Sequence, residues 1–472
     1  MATTLNPPNY DEDIDFAALA LQDADFAKVL DSKGHIDFHD PKAVNYNYVR
    51  WIQDLLDTTS ETYSDQYDPK RQVIGLDIGT GASAIYTLLL LKTRPTCRMC
   101  ATDVDSTSLA SARVNIESND LAPRCRLLHT QASDPLIPLD ALKVERLDFT
   151  ICNPPFYASE QEMRDAFHGT GKRAKPSAVC TGAEVEMIYT PPPAPLPPSS
   201  STPSTPPGPA IGGDAGFVLR MIEESAVLKE RVQWYSSMLG KLSSVNVVVK
   251  RLKEVGVGNW AVACLRAGQK TRRWAVAWSW GEMRPRNDVA RRDMSIKDVL
   301  PFPTEYVIAI EGDEKAVART INEALSALDL RWMWKESLMA GVCLARENVW
   351  SRSARRRKKR LEAADEKTEE DMDTESDEDE EVALGFKISV QKDAVVIRWL
   401  RGRDSVLFES LCATGLGTGG SGMSGGSGMS GGGNVGNGIL GGGCGGGRRI
   451  VAIDCLVFIF GFETADAADL SG

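Results

Sequence analysis

The 472-residue sequence predicts an α/β protein built on a doubly wound, mostly parallel sheet of seven strands. Three observations carry this prediction. Short apolar runs alternate with helical stretches between residues 72 and 285. The first run ends in a glycine-rich turn that opens a helix. The last two runs lie close enough in the chain to form an antiparallel hairpin.

The elements follow in chain order. Apolar or alternating runs predict strands at residues 73–78, 98–103, 125–130, 147–152, 232–239, 260–266 and 273–280. Helical spacing of apolar residues predicts helices at 83–91, 106–119, 215–229 and 245–254. The spacing alone does not fix the order of the strands in the sheet.

A second, smaller α+β unit is predicted at residues 304–411. Its predicted elements are a helix at 313–328 and strands at 306–310, 341–346, 385–390 and 394–400. This unit carries basic and acidic runs at 352–381. The remaining segments lack the composition to build a core. They are a loosely ordered acidic arm at 1–33 with a short helix at 16–30, a flexible Pro/Ser-rich insertion at 190–210, and a Gly-rich tail at 412–472 that we expect to be disordered.

Composition limits the class of protein. The net charge is −11, but residues 362–381 hold 13 acids and one lysine, a net of −12, which leaves +1 for the rest of the chain. No apolar stretch reaches the roughly 18–20 residues that span a bilayer. The ten cysteines show neither a disulfide framework nor a zinc ribbon, and the single pair Cys97 and Cys100 reads as part of a buried strand. We therefore expect a soluble intracellular protein without a metal site or a membrane segment.

The first predicted strand leads into a loop with glycines at positions 79 and 81. Glycines let the backbone turn sharply and approach a ligand without a Cβ in the way. Asp103, at the end of the second strand, is placed to hold ribose hydroxyls. This pattern fits an adenosyl cofactor and also a nicotinamide dinucleotide, so it does not distinguish a methyltransferase from a dehydrogenase.

The fourth strand ends in Asn153, Pro154, Pro155 and Phe156. Methylating an exocyclic amine of a base is difficult because the nitrogen lone pair is delocalised into the ring. The Asn153 side-chain oxygen and the Pro154 carbonyl can accept the two N–H groups and direct the lone pair towards a methyl sulfonium, while Phe156 stacks on the base. The alternative is an ordinary Asn-Pro turn without a catalytic role. The presence of a glycine loop and a strand-end acid upstream of this turn favours an amino-methyltransferase.

At these residues the chain resembles the U6 small nuclear RNA adenine-N6 methyltransferases, the family of methyltransferase-like protein 16, which has bacterial relatives that methylate ribosomal RNA. The resemblance covers residues 34–285. It rests on the blocks at 36–41, 47–52, 76–83, 101–105, 153–156, 212–214, 234–241 and 273–278.

The resemblance implies a Rossmann-like class I methyltransferase that uses S-adenosylmethionine and acts on a structured RNA hairpin. It implies that the turn at 153–156 is the catalytic clamp and that Ser133 lies near the adenine ring of the cofactor. The cofactor-binding residues it implies are Asp77, Gly79, Gly81, Ser83, Asp103, Ser133 and Asn153.

Two departures from the family pattern stand near the start of this region. About twenty residues of the family, ending in an arginine that helps to hold the methionine carboxylate, are missing between Pro41 and Asn45. Either an exon is absent from the sequence or the affinity for the cofactor is impaired. The family lysine that follows Phe38 is His39 here.

Basic residues outside the loop and the turn are candidates for RNA contact. The candidates are His39, Lys172, Arg173, Lys270 and Arg273. Residues 250–292 also carry four tryptophans at positions 260, 274, 278 and 280, which can stack on bases. Because they alternate along predicted strands, we expect at least half of them to fill the core. The basic run at 355–360 indicates nuclear import or a phosphate-binding arm, so we expect the nucleus, with the cytoplasm as a further location.

The sequence therefore predicts an RNA adenine-N6 methyltransferase. Two alternatives stay open at this point: a protein glutamine N-methyltransferase, because an amide nitrogen poses the same lone-pair problem, and an RNA-binding regulator with weak catalysis. The sequence does not give the oligomeric state or the identity of the RNA.

Overall fold

The computed structural model describes residues 41–168, 187–191, 211–267, 271–293, 296–310, 312–328, 330–351 and 382–413, with 354, 356, 357 and 360. The chain divides into two compact units between Pro303 and Thr304. The predicted arm at 1–33, nearly all of the Pro/Ser-rich insertion, the acidic run and the Gly-rich tail beyond residue 413 lie outside the described residues.

The first unit alternates strands and helices, as predicted. Its strands are β1 (Val73–Ile78), β2 (Cys97–Asp103), β3 (Cys125–His129), β4 (Leu147–Cys152), β5 (Val232–Leu239), β6 (Asn259–Ala267) and β7 (Thr271–Ser279). Its helices are α1 (Pro41–Thr58), α2 (Ile85–Thr93), α3 (Ser106–Ser118), α4 (Leu139–Leu142), α5 (Glu160–His168), α6 (Gly213–Leu228), α7 (Leu242–Glu254) and α8 (Asn287–Ala290).

The seven strands form one sheet in the order β3-β2-β1-β4-β5-β7-β6. Strands β1 to β5 are parallel, whereas β7 runs antiparallel to both β5 and β6. The sheet, with helices between its strands, confirms the predicted methyltransferase fold class. The carboxyl ends of β1, β2 and β4 are neighbours at one edge of the sheet, where ligands bind in open α/β folds.

Two apolar clusters sandwich the sheet. One contains Trp51 of α1 and Met99 of β2, and the other contains Ile222 of α6 and Cys100 of β2. Successive residues of β2 thus belong to different clusters, as expected for a strand covered on both faces. This burial makes the sheet a rigid support for the loops at its edge.

Helix α1 was not expected from the sequence, although its apolar residues have helical spacing. Tyr48, Trp51 and Leu55 are fully buried. The Tyr48 hydroxyl lies 2.9 Å from the Ser236 Oγ of β5, and the Trp51 indole donates to the Val289 carbonyl at 2.9 Å. The helix therefore closes one face of the sheet.

Three of the four tryptophans considered for base stacking are core residues. Trp260, Trp274 and Trp278 are at most 8% exposed. The Trp260 indole donates to the Val299 carbonyl, and the Trp278 and Trp280 indoles both donate to Ser225 Oγ. The expectation that at least half of the four tryptophans fill the core is confirmed, because alternation along paired strands turns three of them into the sheet's apolar layer.

The second unit is an antiparallel sheet in the order β8-β12-β11-β10-β9. Its elements are β8 (Glu305–Ala309), α9 (Glu314–Ser326), β9 (Arg331–Lys335), β10 (Ala340–Ala345), β11 (Leu384–Gln391), β12 (Ala394–Arg401) and α10 (Ser405–Ala413). The sequence had not indicated β9 or α10. Within the described ranges of both units, no helix is long and apolar enough to cross a membrane.

Candidate active site

The glycine loop follows β1 and adopts the left-handed backbone that its sequence requires. Gly79 and Gly81 have φ angles of 69° and 63°, and Ala84, just before α2, has a φ of 50°. A Cβ placed on either glycine would meet nothing within 4 Å. The glycines are therefore needed for the turn itself, and the space beside the loop is open to a ligand. The left-handed Ala84 also explains why α2 begins at Ile85, two residues later than predicted.

Asp103 joins the ends of β1 and β2. Its Oδ2 accepts the Gly81 N–H at 2.8 Å and its Oδ1 accepts the Asp105 N–H at 2.9 Å. These two bonds tie the loop after β1 to the end of β2 and to the start of α3. Asp105 caps α3 by accepting the N–H of Ser108, which lowers the pKa of Asp105. Val104, between the two acids, is 39% exposed and offers an apolar contact that the sequence had not suggested.

Asp77 lies beneath the loop. Its side chain is fully buried, and its Oδ2 accepts the hydroxyls of Thr80 at 2.8 Å and Thr87 at 2.9 Å. Its Oδ1 has no hydrogen-bond partner within the described residues. Burial raises the pKa of Asp77 to about 6. The structure therefore shows Asp77 as a support that ties the loop to α2, while a direct contact with the cofactor stays a prediction.

Replacing Asp77 with Asn is expected to remove a pH dependence of stability. The pKa of Asp77 is about 6 in the folded chain against an ordinary 3.8. The folded chain binds this proton more tightly, so the free energy of unfolding falls as the pH rises from about 4 to about 6. Asp77→Asn keeps an acceptor for the two threonines, and we expect a gain of about 1–2 kcal/mol at pH 7. Urea unfolding across this pH range measures the slope, and an unchanged slope would contradict the assignment.

The turn after β4 lies one strand from the glycine loop. Ile78 of β1 is paired with Cys152 of β4, so Gly79 and Asn153 leave adjacent strands at the same edge. The Asn153 side chain is exposed, Pro154 is buried and Phe156 is half-buried. The turn therefore carries an exposed amide side chain at the same sheet edge as the glycine loop.

A short segment at 187–191 holds the turn in place. The Tyr157 N–H donates to the Met187 carbonyl, and the Tyr189 N–H donates to the Tyr157 carbonyl, both at 3.0 Å. The Tyr189 carbonyl in turn accepts the Gly213 N–H at 2.9 Å. The turn is thereby linked to the start of α6.

Close backbone packing fixes Phe156. Gly213 has a φ of 65°, and a Cβ there would lie 3.0 Å from the Phe156 carbonyl oxygen. A Cβ on Gly240 would lie 3.1 Å from Phe156 Cδ1. Asp214 accepts the Gly240 N–H at 2.7 Å and the Ser244 hydroxyl at 2.8 Å, which binds the two glycine segments together. The Arg273 guanidinium lies 5.4 Å from the centre of the Phe156 ring.

An ion pair supports the residues that follow the turn. Glu162 of α5 accepts the Ala158 N–H at 2.9 Å and pairs with Lys241 at 3.2 Å. No role for Glu162, Asp214 or Lys241 was predicted from the sequence. A signal was present in the Gly212-Gly213-Asp214 block, because adjacent glycines before a helix indicate a close backbone approach.

The family profile described as RNA methyltransferase matches residues 41–282. The U6 small nuclear RNA (adenine-(43)-N(6))-methyltransferase of Schizosaccharomyces pombe is 32% identical over 374 residues, which cover 78% of this chain and 83% of that protein. The chain belongs to this RNA methyltransferase family. The enzyme is also 35% identical over 237 residues to the RNA N(6)-adenosine-methyltransferase METTL16 of Homo sapiens, of which it covers 37%. It thus spans less than half of the human relative.

A solved structure of the human Mettl16 catalytic domain with the MAT2A 3′UTR hairpin 1 is 28% identical. The match covers 58% of this enzyme and 95% of that chain, with a TM-score of 0.41. Family membership confirms the predicted enzyme class, and with it the predicted methyl donor, S-adenosylmethionine. The nicotinamide alternative is thereby excluded.

The residues of this edge fit the methyl donor. A ligand can approach the backbone of the glycine loop, because nothing lies within 4 Å of a Cβ placed on either glycine. A direct contact of Asp103 with the ribose stays a prediction. Ser83 is exposed on the loop before α2. Within the described residues, no cluster of His, Cys, Asp and Glu side chains has the form of a metal site.

Ser133 lies on the exposed loop after β3. Arg220 of α6 donates to the carbonyls of Ala132 and Asp134, and Glu224 of the same helix accepts the N–H of Leu136 and of Ile137 at 3.0 Å. The loop thus has fixed supports on both sides of Ser133. The predicted RNA contacts His39, Lys172, Arg173 and Lys270 lie outside the described residues.

Proposed function

We propose that the enzyme transfers a methyl group from S-adenosylmethionine to the N6 amine of an adenine in a structured RNA. The observation that carries the proposal is the exposed Asn153 on a rigid turn, one strand away from the glycine loop. The name of the fission yeast relative, a U6 small nuclear RNA adenine-N6 methyltransferase, supports an adenine of a small nuclear RNA as the substrate.

The mechanism follows from the turn. The bound donor supplies an electrophilic methyl group on a sulfonium. The Asn153 oxygen and the Pro154 carbonyl accept the two N–H groups of the adenine amine and direct its lone pair towards that methyl group. Pro154 and Pro155 restrict the backbone, so the acceptors are held in place before the base arrives. The amine releases its proton to solvent after transfer, and no general base is required.

Phe156 provides the stacking surface for the extruded base. Arg273 lies over the Phe156 ring, and Gly240 leaves room for the ring edge. Extruding a base from a loop costs less free energy than extruding one from a duplex, because fewer base pairs and stacking contacts are lost. A loop adenine is therefore the substrate that this turn favours.

Labelled methyl transfer to separate RNA and protein pools tests the proposal. We expect label in RNA, recovered as N6-methyladenosine after nuclease digestion. Label in glutamine side chains would instead support the protein N-methyltransferase. Hairpin binding with a cofactor dissociation constant far above cellular levels would support the RNA-binding regulator, the alternative that the missing arginine favours.

We further propose that the unit starting at Thr304 is an accessory RNA-binding module. Trp332 of β9 donates to Asn322 of α9, which places one face of the sheet against the helix. Arg331 and Lys335 lie on the opposite face of β9 from Trp332 and are exposed. Basic side chains on this strand suit phosphate contact.

The basic run at 355–360 and the U6 relative support a nuclear location.

A further inference from the structure

A second cleft lies at the end of the sheet opposite the glycine loop. Its volume is about 550 Å³, and it opens at the amino ends of β1, β2 and β3. Arg98, in its lining, is five residues before Asp103 on β2, which corresponds to roughly 16 Å along a strand. The cleft is therefore separate from the methyl-transfer site.

The charged lining of this cleft is strongly basic. Its charged residues are Arg98, Arg124, Arg126, Lys143, Glu145 and Arg146. Five cations against one acid, in an enzyme whose overall charge is negative, mark a local site for anions.

Two of these cations shape the cleft. The Arg124 guanidinium donates to the carbonyls of Leu91, Arg94, Pro95 and Cys97. Arg126 donates to the Leu142 carbonyl at 2.6 Å and thereby fixes the wall that carries Lys143. Their contacts are to neutral carbonyls, so their positive charge is not cancelled.

Other cations are available to a ligand. The side chains of Arg98 and Lys143 are exposed, and neither makes an ion pair within the described part of the chain. Arg146 is exposed as well and donates to the Glu230 carbonyl at 3.2 Å. Lys143 has a φ of 52° at the end of α4, a conformation that holds its position on the wall.

The cations are spread along the cleft and do not converge on one point. Arg98 lies on β2, two residues before Cys100, and Cys100 is paired with Arg126 of the neighbouring strand β3. The two arginines therefore lie on adjacent strands, two residues out of register, on the same face of the sheet. Strand geometry puts their Cα atoms roughly 8 Å apart. Such spacing suits successive phosphates of a strand better than a single compact anion.

We propose that this cleft binds the phosphodiester backbone of an RNA segment that flanks the methylated hairpin. The inference rests on the proposed function, because it assumes an RNA substrate. Phosphate contacts of this kind position a nucleic acid without reading its sequence.

The double variant Arg98→Gln and Lys143→Gln tests the proposal in the full chain. The matched control is Lys92→Gln and Arg113→Gln, an exposed lysine and arginine on the helices of the opposite face. The probes are a labelled hairpin RNA and the same hairpin with single-stranded flanks. Equilibrium binding is measured over a range of salt concentrations, with cofactor affinity measured separately.

For the flanked RNA, we expect the test variant to bind several-fold more weakly than the wild type. The slope of log affinity against log salt should become less steep by about 1.5. Affinity for the bare hairpin and for S-adenosylmethionine should stay within twofold of wild type. Equal behaviour of the test and control variants would overturn the proposal. Displacement of the flanked RNA by adenosine monophosphate, beyond that caused by chloride at equal ionic strength, would overturn it in favour of a free nucleotide.

The two proposals fail in distinguishable ways. If the wild-type chain binds neither RNA, both the proposed function and this inference are wrong. If the cleft binds flanked RNA but no methyl group is transferred, the inference holds and the proposed function is wrong. If methyl transfer is normal and the flanks add no affinity, only the inference is wrong.

Discussion

Asn153→Ala is expected to lower methyl transfer to a hairpin RNA by about 10³-fold, since it removes an oriented acceptor of the reacting amine. The side chain is exposed, so the fold should not depend on it. Affinity for S-adenosylmethionine should remain close to that of the wild type, because Asp103 and the glycine loop are untouched. Single-turnover transfer measures the chemical step, and calorimetry measures cofactor binding.

Asn119→Ala provides the matched control for this result. Asn119 is exposed after α3, and its amide donates to the Asn115 carbonyl, far along the helix from Asp103. It should transfer methyl groups at the wild-type rate. Equal activity of Asn153→Ala and the control would contradict the clamp, whatever the substrate.

Gly213→Ala is expected to reduce methyl transfer by about 10- to 100-fold through a displaced Phe156. The new Cβ would lie 3.0 Å from the Phe156 carbonyl oxygen, and the backbone φ of 65° disfavours alanine by about 1–2 kcal/mol. The turn must shift to relieve the contact. The measurements are the rate of transfer and the free energy of unfolding in urea.

Gly256→Ala separates the backbone cost from the displacement. Gly256 also has a left-handed φ, 83°, but a Cβ there would meet nothing within 4 Å. Both variants should lose similar backbone stability, and only Gly213→Ala should lose activity beyond that. A comparable loss of activity in both variants would show that the crowding at Phe156 has no role.

The strands and most helices of the first unit could be predicted because each is a local pattern. Helix α1 was missed although Tyr48, Trp51 and Leu55 already show its buried face. The buried tryptophans were harder to assign, because aromatic residues on a basic segment fit a stacking surface and a core strand equally well. Only the pairing of β5, β6 and β7 decides between them.

The positions of the site residues could be predicted, but their supports could not. Gly79 and Asn153 follow β1 and β4, and Asp103 ends β2; a parallel sheet brings such positions together at one edge. The contact of Asp214 with Gly240 joins residues 26 positions apart, and the pairing of Lys241 with Glu162 spans 79. No local pattern encodes such contacts, so sequence reasoning had no access to them.

The hydrogen bonds of residues 187–191 also have an evolutionary consequence. The backbone hydrogen bonds of Met187 and Tyr189 tie this segment to the turn after β4 and to the start of α6. This support of the turn therefore does not depend on which side chains stand at positions 187–191. Lineages can change the side chains of this segment while the support of the turn is inherited intact.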